Sequence, residues 1–576
     1  MSQLKKILIN IIILCTLANS AFAQKTKQII IIHADVISVN ELLMPNIQIL
    51  KGAVILKHDS ALMFCDSAYY NSKEKRFSAF GKIHIKNPTE DLKDTVYLWG
   101  DSLNYSGQEK LARVRSHVIL KKDSMTLFTD NLDYNISSDI GKYVDGGRTI
   151  NGEDTLFSRQ GYYYANEDLL FFKEKVKIFN PKYNMYCDTL KHNTKKKISY
   201  ILGPTDIVSR ENDSSYIYCE NGWYNHKTDI AQFNKNALLV NKKQTLEGDS
   251  LYYDRKKKVG RAFNNVTAID STQNALLLGD LGEYHEKTQS TMMTQKALFI
   301  MIQKGDSMFM HADTLLSLKD TIRTKTDTIG YTLIKGFHKV KLFKSDFQAK
   351  CDSLVYSTLD STIEMHTRPV MWSGKNQITG KFVRIKTKDN KISKVFIETN
   401  SLIVSQCDSV DFNQIRGKNM VAYFKDSTLR KIDVKEDGAY IYFVTEKVKV
   451  KEKEEEKLVG VNKLTCKNMT IYLNKSEVDT VWFYENPTGT LYPPKYLAEE
   501  ELKFDIFQWN DKHRPKSKDD VFKWVDDKEI KTLTKKTVGA PVVKDKSKEQ
   551  KKGATNSDKS KQTKDQINTK TKSNKK

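Results

Sequence analysis

The sequence predicts an all-β fold, an elongated repeat array of stacked antiparallel strands that ends in an unordered tail. Three observations carry this. A short pattern, clearest over Thr245–Asp254 as TLEGDSLYYD, returns at Leu98–Tyr105 as LWGDSLNY and at Ala349–Tyr356 as AKCDSLVY. Its acidic position recurs at Asp66, Asp101 and Asp130, then at Asp188, Glu220, Asp249, Asp280 and Asp352, with steps such as 35 residues from Asp66 to Asp101 and 29 from Asp101 to Asp130. Periods of this length mark stacked supersecondary units. Finally, helical periodicity is nearly absent between Gln24 and Asp505, where Val, Ile, Tyr, Phe and Thr abound.

Met1–Ala23 reads as a secretory signal, with Lys5 and Lys6 before the apolar run Ile7–Leu17 and a small-x-small site at Ala21-Phe22-Ala23. Residues 24–360 carry the clear repeats and 361–485 a divergent continuation. Residues 486–540 form an extension with one short helix expected at Tyr496–Lys503, and 541–576 a disordered Lys-rich tail. The charged stretch Val448–Lys457 is expected at a hairpin tip.

Within one unit, apolar parity changes at the motif. Met63, Leu98, Leu127, Met185, Ile217 and Leu246 lie two residues before the small residue, whereas Leu103 and Tyr105, or Leu251 and Tyr253, hold the other parity after it. Side chains alternate faces along a strand, so the change implies a bulge or corner at the Gly/Cys-Asp pair. The eight acids named above are therefore read as structural corner residues. Polar pairs such as Ser116-His117 and Asn264-Asn265 precede the second strand of the unit.

Chemistry is weakly signalled. Cys65, Cys187, Cys219 and Cys351 stand where other units place Gly100 or Gly248, so they are read as small buried residues. No metal spacing is present and no cofactor is expected. Gly100–Leu103 and Gly248–Leu251 match the GDSL esterase signature, but none of the 11 histidines has Asp three residues before it, so no enzyme is expected. The formal charge is +23, and the tail holds twelve Lys against four acids. No nucleic-acid motif accompanies it; anionic envelope material or plain solubility accounts for the excess.

The signal, the Gly-Asp-Ser-Leu-x-Tyr repeats, the basic turns and the following Asn-Asn-Val266 or Ser-His-Val118 together resemble the OstA/LptA family of lipopolysaccharide-transport proteins. The resemblance covers most of Ile29–Leu359 and weakens toward Leu473. It implies a twisted β-jellyroll whose apolar interior shields acyl chains, placed in the periplasm, either free there or associated with the outer membrane. The implied partners are lipopolysaccharide or another anionic glycolipid, and OstA/LptA-type or outer-membrane barrel proteins docked by edge strands. On this reading Met63, Leu98, Leu127, Met185, Ile217 and Leu246 line a lipid trough. The residues alone also leave open a non-transporting envelope scaffold or adhesin, and a polysaccharide-processing enzyme.

Overall fold

A computed structural model describes residues 28–525 except 90–93, 211–214, 242–243, 272–273, 304, 324–326, 451–452 and 475–476. The secretory signal over 1–23 and the tail over 541–576 lie outside the described residues. One compact unit ends at Trp524. Among the described residues, 38 strands form a single sheet, and every pairing is antiparallel. The only helical elements among the described residues are short 3-10 turns.

The sheet grows by hairpins, each long strand pairing with the next over its whole length. Ala61–Asn71 pairs with Arg76–Pro88, that with Thr95–Ser106, and that with Leu111–Lys122. Each pairing shifts register once, near its middle. Lys51 faces Ser67 and Val54 faces Cys65, so Gly52 and Ala53 together oppose Asp66. The same two-against-one count recurs where Ser116 and His117 oppose the motif of the neighbouring strand.

This count creates the corner. A motif strand passes from inside to inside in three residues, Cys65 to Ala68, and its neighbour takes four, Ala79 to Ile83. The parity change is thus where the alternation put it. The extra residue, however, sits on the adjacent strand and not in the Gly/Cys-Asp pair. Both bulge residues are left-handed, at φ 63 and 48 for Ser116 and His117 and at φ 56 and 50 for Asn264 and Asn265. Short polar side chains tolerate that region best. Elsewhere the corner sharpens until the strand breaks, as between Ser215–Cys219 and Asn221–Asn225.

Beyond each corner the strand faces the half that precedes it in a neighbouring copy. His58, at the end of one half, meets the Tyr105 hydroxyl at 2.5 Å, and Asn87 donates to Asp139 at 2.5 Å. Between the layers runs one apolar core from Ile29 to Ile471. The divergent segment continues the sheet without interruption to Tyr492, and Val448–Lys457 lies at a hairpin end where Val450 pairs with Lys453.

The extension forms a strap over the outer face of the last third of the sheet. The helix expected at Tyr496–Lys503 is a single 3-10 turn, Glu499–Leu502, because the backbone on either side is tied down in extended form. Gln414 accepts from the Phe504 amide at 3.0 Å and donates to the Leu502 carbonyl at 2.8 Å. Gln377 does the same six residues on, with the Asn510 amide at 2.7 Å and the Gln508 carbonyl at 2.6 Å. Between these clamps Phe504, Ile506, Phe507 and Trp509 cover Leu402, Val404 and Phe412. At the far end Trp524 lies over the Lys350 ammonium at 4.5 Å, and Lys341 donates to the Lys523 carbonyl.

Burial, then the charge of Lys350, pushes the Lys341 ammonium down to about 8 from 10.5. A depressed basic pKa means that the undocked strap binds the proton more tightly. Docking should therefore strengthen as pH rises from about 8 to 10.5 and stay level below that window. Amide exchange across Leu502–Asn510 should slow over this range after correction for intrinsic rate. Lys341→Met should abolish the change; an unchanged slope in that variant contradicts the assignment.

Candidate functional site

The six residues singled out from the sequence fall on one continuous cross-strand ladder. Met63 faces Ile85, which faces Leu98, then Leu120 and Leu127; further along, Ile178 faces Met185, Ile207, Ile217, Leu239 and Leu246 in turn. All six point into the interlayer core. Their surroundings differ. Met63, Leu98, Leu127 and Met185 are buried, the first two at 1% and 0% exposure. Ile217 and Leu246 are only half-buried, as are their ladder neighbours Ile207, Leu239 and Ala268. The interior is packed shut around Leu50–Leu132 and again around Ala297–Ile403, and it loosens in between.

Opposite this ladder runs a column of motif tyrosines, Tyr105, Tyr134, Tyr163, Tyr224, Tyr253 and Tyr284. Several alternate with small residues such as Ala112, Gly141, Ala231 and Gly260. Small neighbours give each ring room to lie across the next strand. Carboxylates anchor the hydroxyls at the rim: Tyr134 donates to Asp139 at 2.5 Å, Tyr224 to Asp229 at 2.7 Å and Tyr253 to Glu286 at 2.7 Å. Burial, then the Asp229 bond, pushes Tyr224 up to about 12. These phenols are neutral anchors.

One copy departs from the pattern, and alternation did not flag it. His192 stands in the tyrosine position and Ser199 in the small one. The signal was available in the motif copy itself, Cys187–His192, which reads CDTLKH and ends in histidine where its neighbours end in tyrosine.

The corner acids lie outside, away from the core. Asp66, Asp101, Asp130, Asp188 and Asp249 are exposed, and Glu220, Asp280 and Asp352 half-exposed. Most reach the second bulge residue of a neighbouring strand. Asp101 meets His117 at 2.7 Å, Glu220 meets Asn236 at 2.8 Å, Asp249 meets Asn265 at 3.2 Å and Asp280 meets Lys296 at 2.8 Å. Longer approaches join Asp66 to Lys82 at 3.8 Å and Asp352 to His338 at 3.6 Å. Asp188 instead accepts from Thr189 at 2.9 Å. The Asp101 bond, then its charge, raises the His117 pKa, with Asp130 a lesser contributor. Later corners reverse the signs, with Lys418 on Glu436 and Lys467 on Glu485, each at 2.6 Å.

Ser250 donates to Asn234 at 2.8 Å and accepts from Gln232 at 3.0 Å, an amide pair that offers no base. Burial, then adjacent negative charge, pushes Cys65 to about 11 and Cys187 to about 12, the reverse of an activated thiol. Among the described residues no group of three His, Cys, Asp or Glu side chains could hold a metal.

Among the described residues, the two ends of the sheet are open edges. Among the described residues Ile30–His33 and Val36–Val39 pair only with Ile47–His58, and Ile30, Ile32, Val36, Ile37 and Val39 are exposed. At the other end Glu477–Tyr484 and Thr488–Tyr492 pair, among the described residues, only with Lys453–Asn474, and Trp482, Tyr484 and Leu491 are exposed.

The architecture is a folded-ladder repeat array with a tyrosine-lined, partly half-buried interior. Residues 25–189 and 184–305 match the family model described as OstA-like protein, so this stretch is similar to that family. Among solved structures it is similar to LptH from Pseudomonas aeruginosa, titled the LptA-homologous periplasmic component of the conserved lipopolysaccharide transport device. The identity is 13% and the TM-score 0.19, covering 21% of this chain and 83% of that one. No curated protein matches the sequence.

The corner makes a graded prediction for glycine. A Cβ at Gly100 would lie 2.3 Å from Val114 Cγ1, but at Gly248 the nearest atom is 3.5 Å away. Gly100→Ala should destabilise by about 1–3 kcal/mol through overpacking. Gly248→Ala should leave the thermal midpoint nearly unchanged. Equal losses would show that corner crowding is not what selects the small residue.

Proposed function

We propose that this protein binds or conducts lipopolysaccharide or a related anionic glycolipid between the inner and outer membranes, without catalysing a reaction. The observation that carries the reading is the half-buried stretch midway along the apolar ladder, at Ile207, Ile217, Leu239, Leu246 and Ala268, which lies between buried Met185 and Leu277; the ladder loosens again at Ile415, Tyr440 and Leu464. Acyl chains lying along it would gain about 0.8 kcal/mol for each methylene buried. Of the six ladder residues, Ile217 and Leu246 therefore act as the lipid-contacting pair. Met63, Leu98, Leu127 and Met185 form the closed walls that hold the layers apart. The corner acids Asp66, Asp101, Asp130, Asp188, Glu220, Asp249, Asp280 and Asp352 act in architecture, with no contact to the lipid.

The matched family and the apolar strand edges at both ends support a place in a periplasmic chain of β arrays. Edges that have no further strand partner among the described residues, with exposed Ile32 and Val36 at one end and Trp482 and Leu491 at the other, suit docking by strand addition. The partners on this reading are OstA/LptA-type proteins or an outer-membrane barrel. A second reading, a non-transporting envelope scaffold, is favoured by the dry packing around Leu98 and Met371, both at 0% exposure.

Photo-crosslinkers separate the two. A probe at Ile217 or Leu246 should capture lipid from cells, and a probe at Leu98 should capture none. Ile217→Lys and Leu246→Lys should lose bound lipid while still folding, since a half-buried lysine can extend its head to water. Leu98→Lys should unfold, because an unpaired charge there is fully desolvated. Absence of lipid at all three positions favours the scaffold.

A further inference from the structure

Near the start of the sheet the connection between Val36–Val39 and Ile47–His58 turns its apolar side chains outward. Leu42 is 98% exposed, Leu43 79% and Met44 41%, and Ile37 and Val39 in the strand leading to them are half-exposed. Apolar residues scattered singly are ordinary on a surface, but a consecutive run at a loop tip marks a contact. The loop is held from within. Asn40 accepts the Leu43 amide on its side chain at 3.1 Å and the Met44 amide on its carbonyl at 2.8 Å. Glu41 accepts the Asn46 amide at 3.1 Å and Met44 the Ile47 amide at 3.3 Å, and Pro45 has no N–H to place.

Every N–H from Leu43 to Ile47 is thus satisfied before anything docks, and this decides what can cover the tip. Strand addition needs free backbone donors, which this loop lacks. Hydrocarbon makes the opposite demand, because it supplies no hydrogen bonds and accepts only backbone groups already paired. Charge points the same way. Ile47 pairs with Asn71, so the loop lies beside the turn that follows Asn71, which brings Lys73, Lys75 and Arg76 against Glu74 and the loop's own Glu41. Later turns at the same place in the repeat carry Lys195–Lys197 and Arg255–Lys258. Acids among those turns are drawn inward, where Asp229 accepts from Tyr224 and Glu286 from Tyr253. Leucines beside lysine and arginine suit the boundary of an anionic bilayer, with cations at the headgroups and apolar side chains below them.

We propose that Leu42, Leu43 and Met44 form a membrane-inserting tip that seats this end of the array on the surface of an anionic phospholipid bilayer. Asn40, Glu41 and Asn46 at the base of the loop are polar and exposed, and they mark the depth at which insertion stops. The bilayer is here a surface on which the protein rests, independent of what the interior holds.

The test sediments the exported protein with vesicles of phosphatidylethanolamine and phosphatidylglycerol. The protein should partition onto them, and less onto vesicles of phosphatidylethanolamine and phosphatidylcholine. Leu42→Ser combined with Leu43→Ser should lower the partition coefficient at least about tenfold, since two leucine side chains return to water. That variant should keep its thermal midpoint, because Leu42 and Leu43 are left almost bare by the fold. Val410→Ser, at an apolar side chain 62% exposed in another turn, should change nothing. A photo-crosslinker at Leu42 should capture phospholipid in cells. The proposal is overturned by a native protein that ignores vesicles, by equal partition onto the two kinds, by partition indifferent to the leucine substitutions, or by capture of protein without lipid at Leu42. Each of these outcomes leaves the interior ladder to its own probes at Ile217 and Leu246.

Discussion

At most corners a motif strand crosses from one buried residue to the next in three residues while its neighbours take four, and a two-residue left-handed bulge supplies the difference. The two layers depend on this count. Were the bulge strand one residue shorter, every side chain beyond the corner would swap faces, and the apolar ladder would meet solvent. Left-handed conformation costs about 1–2 kcal/mol for each ordinary residue, so the pairs persist because register on both sides fixes them. Gly52, Asn236, Asn264 and Asn265 lower that cost, and the motif acid adds an exposed contact across the bend. The repeated Gly-Asp is therefore the signature of the bend. The strand opposite it carries the strain.

That geometry also accounts for how uniform columns arise from a loosely repeating sequence. Once register is pinned at the corner, residues two and five positions away fall on fixed ladders, so tyrosine stacks near alanine or glycine and leucine near isoleucine. Variation is tolerated at corner charges, where Lys418 and Glu436 reverse the usual order. It is informative inside. Replacing one column tyrosine by His192 changes the chemistry of the interior without changing the path of the chain.

Much of this was legible in the sequence. Met63 with Cys65, against Ala68 with Tyr70, states the change of face outright, and the pairs Ser116-His117 and Asn264-Asn265 are visible as polar interruptions. Their left-handed conformation is not, since no side chain there is unique to it. The strap was missed for a different reason. Gln414 and Gln377 look like ordinary polar strand residues, and their partners lie 88 to 133 residues away. Alternation likewise tells which side of Ile217 or Leu98 faces inward but not how near the opposite layer comes. The ladder was readable; its openness was not.

The central claim is that the loosened stretch of the ladder holds a lipid. A mass-spectrometric inventory of molecules retained by the intact protein after export and gentle purification tests it most directly. The account predicts an acyl-bearing amphiphile at a defined ratio to protein, lost on Ile217→Lys and retained on a charge substitution at the outward Glu247. A protein that emerges free of lipid, or one whose lipid content is indifferent to Ile217, would contradict it.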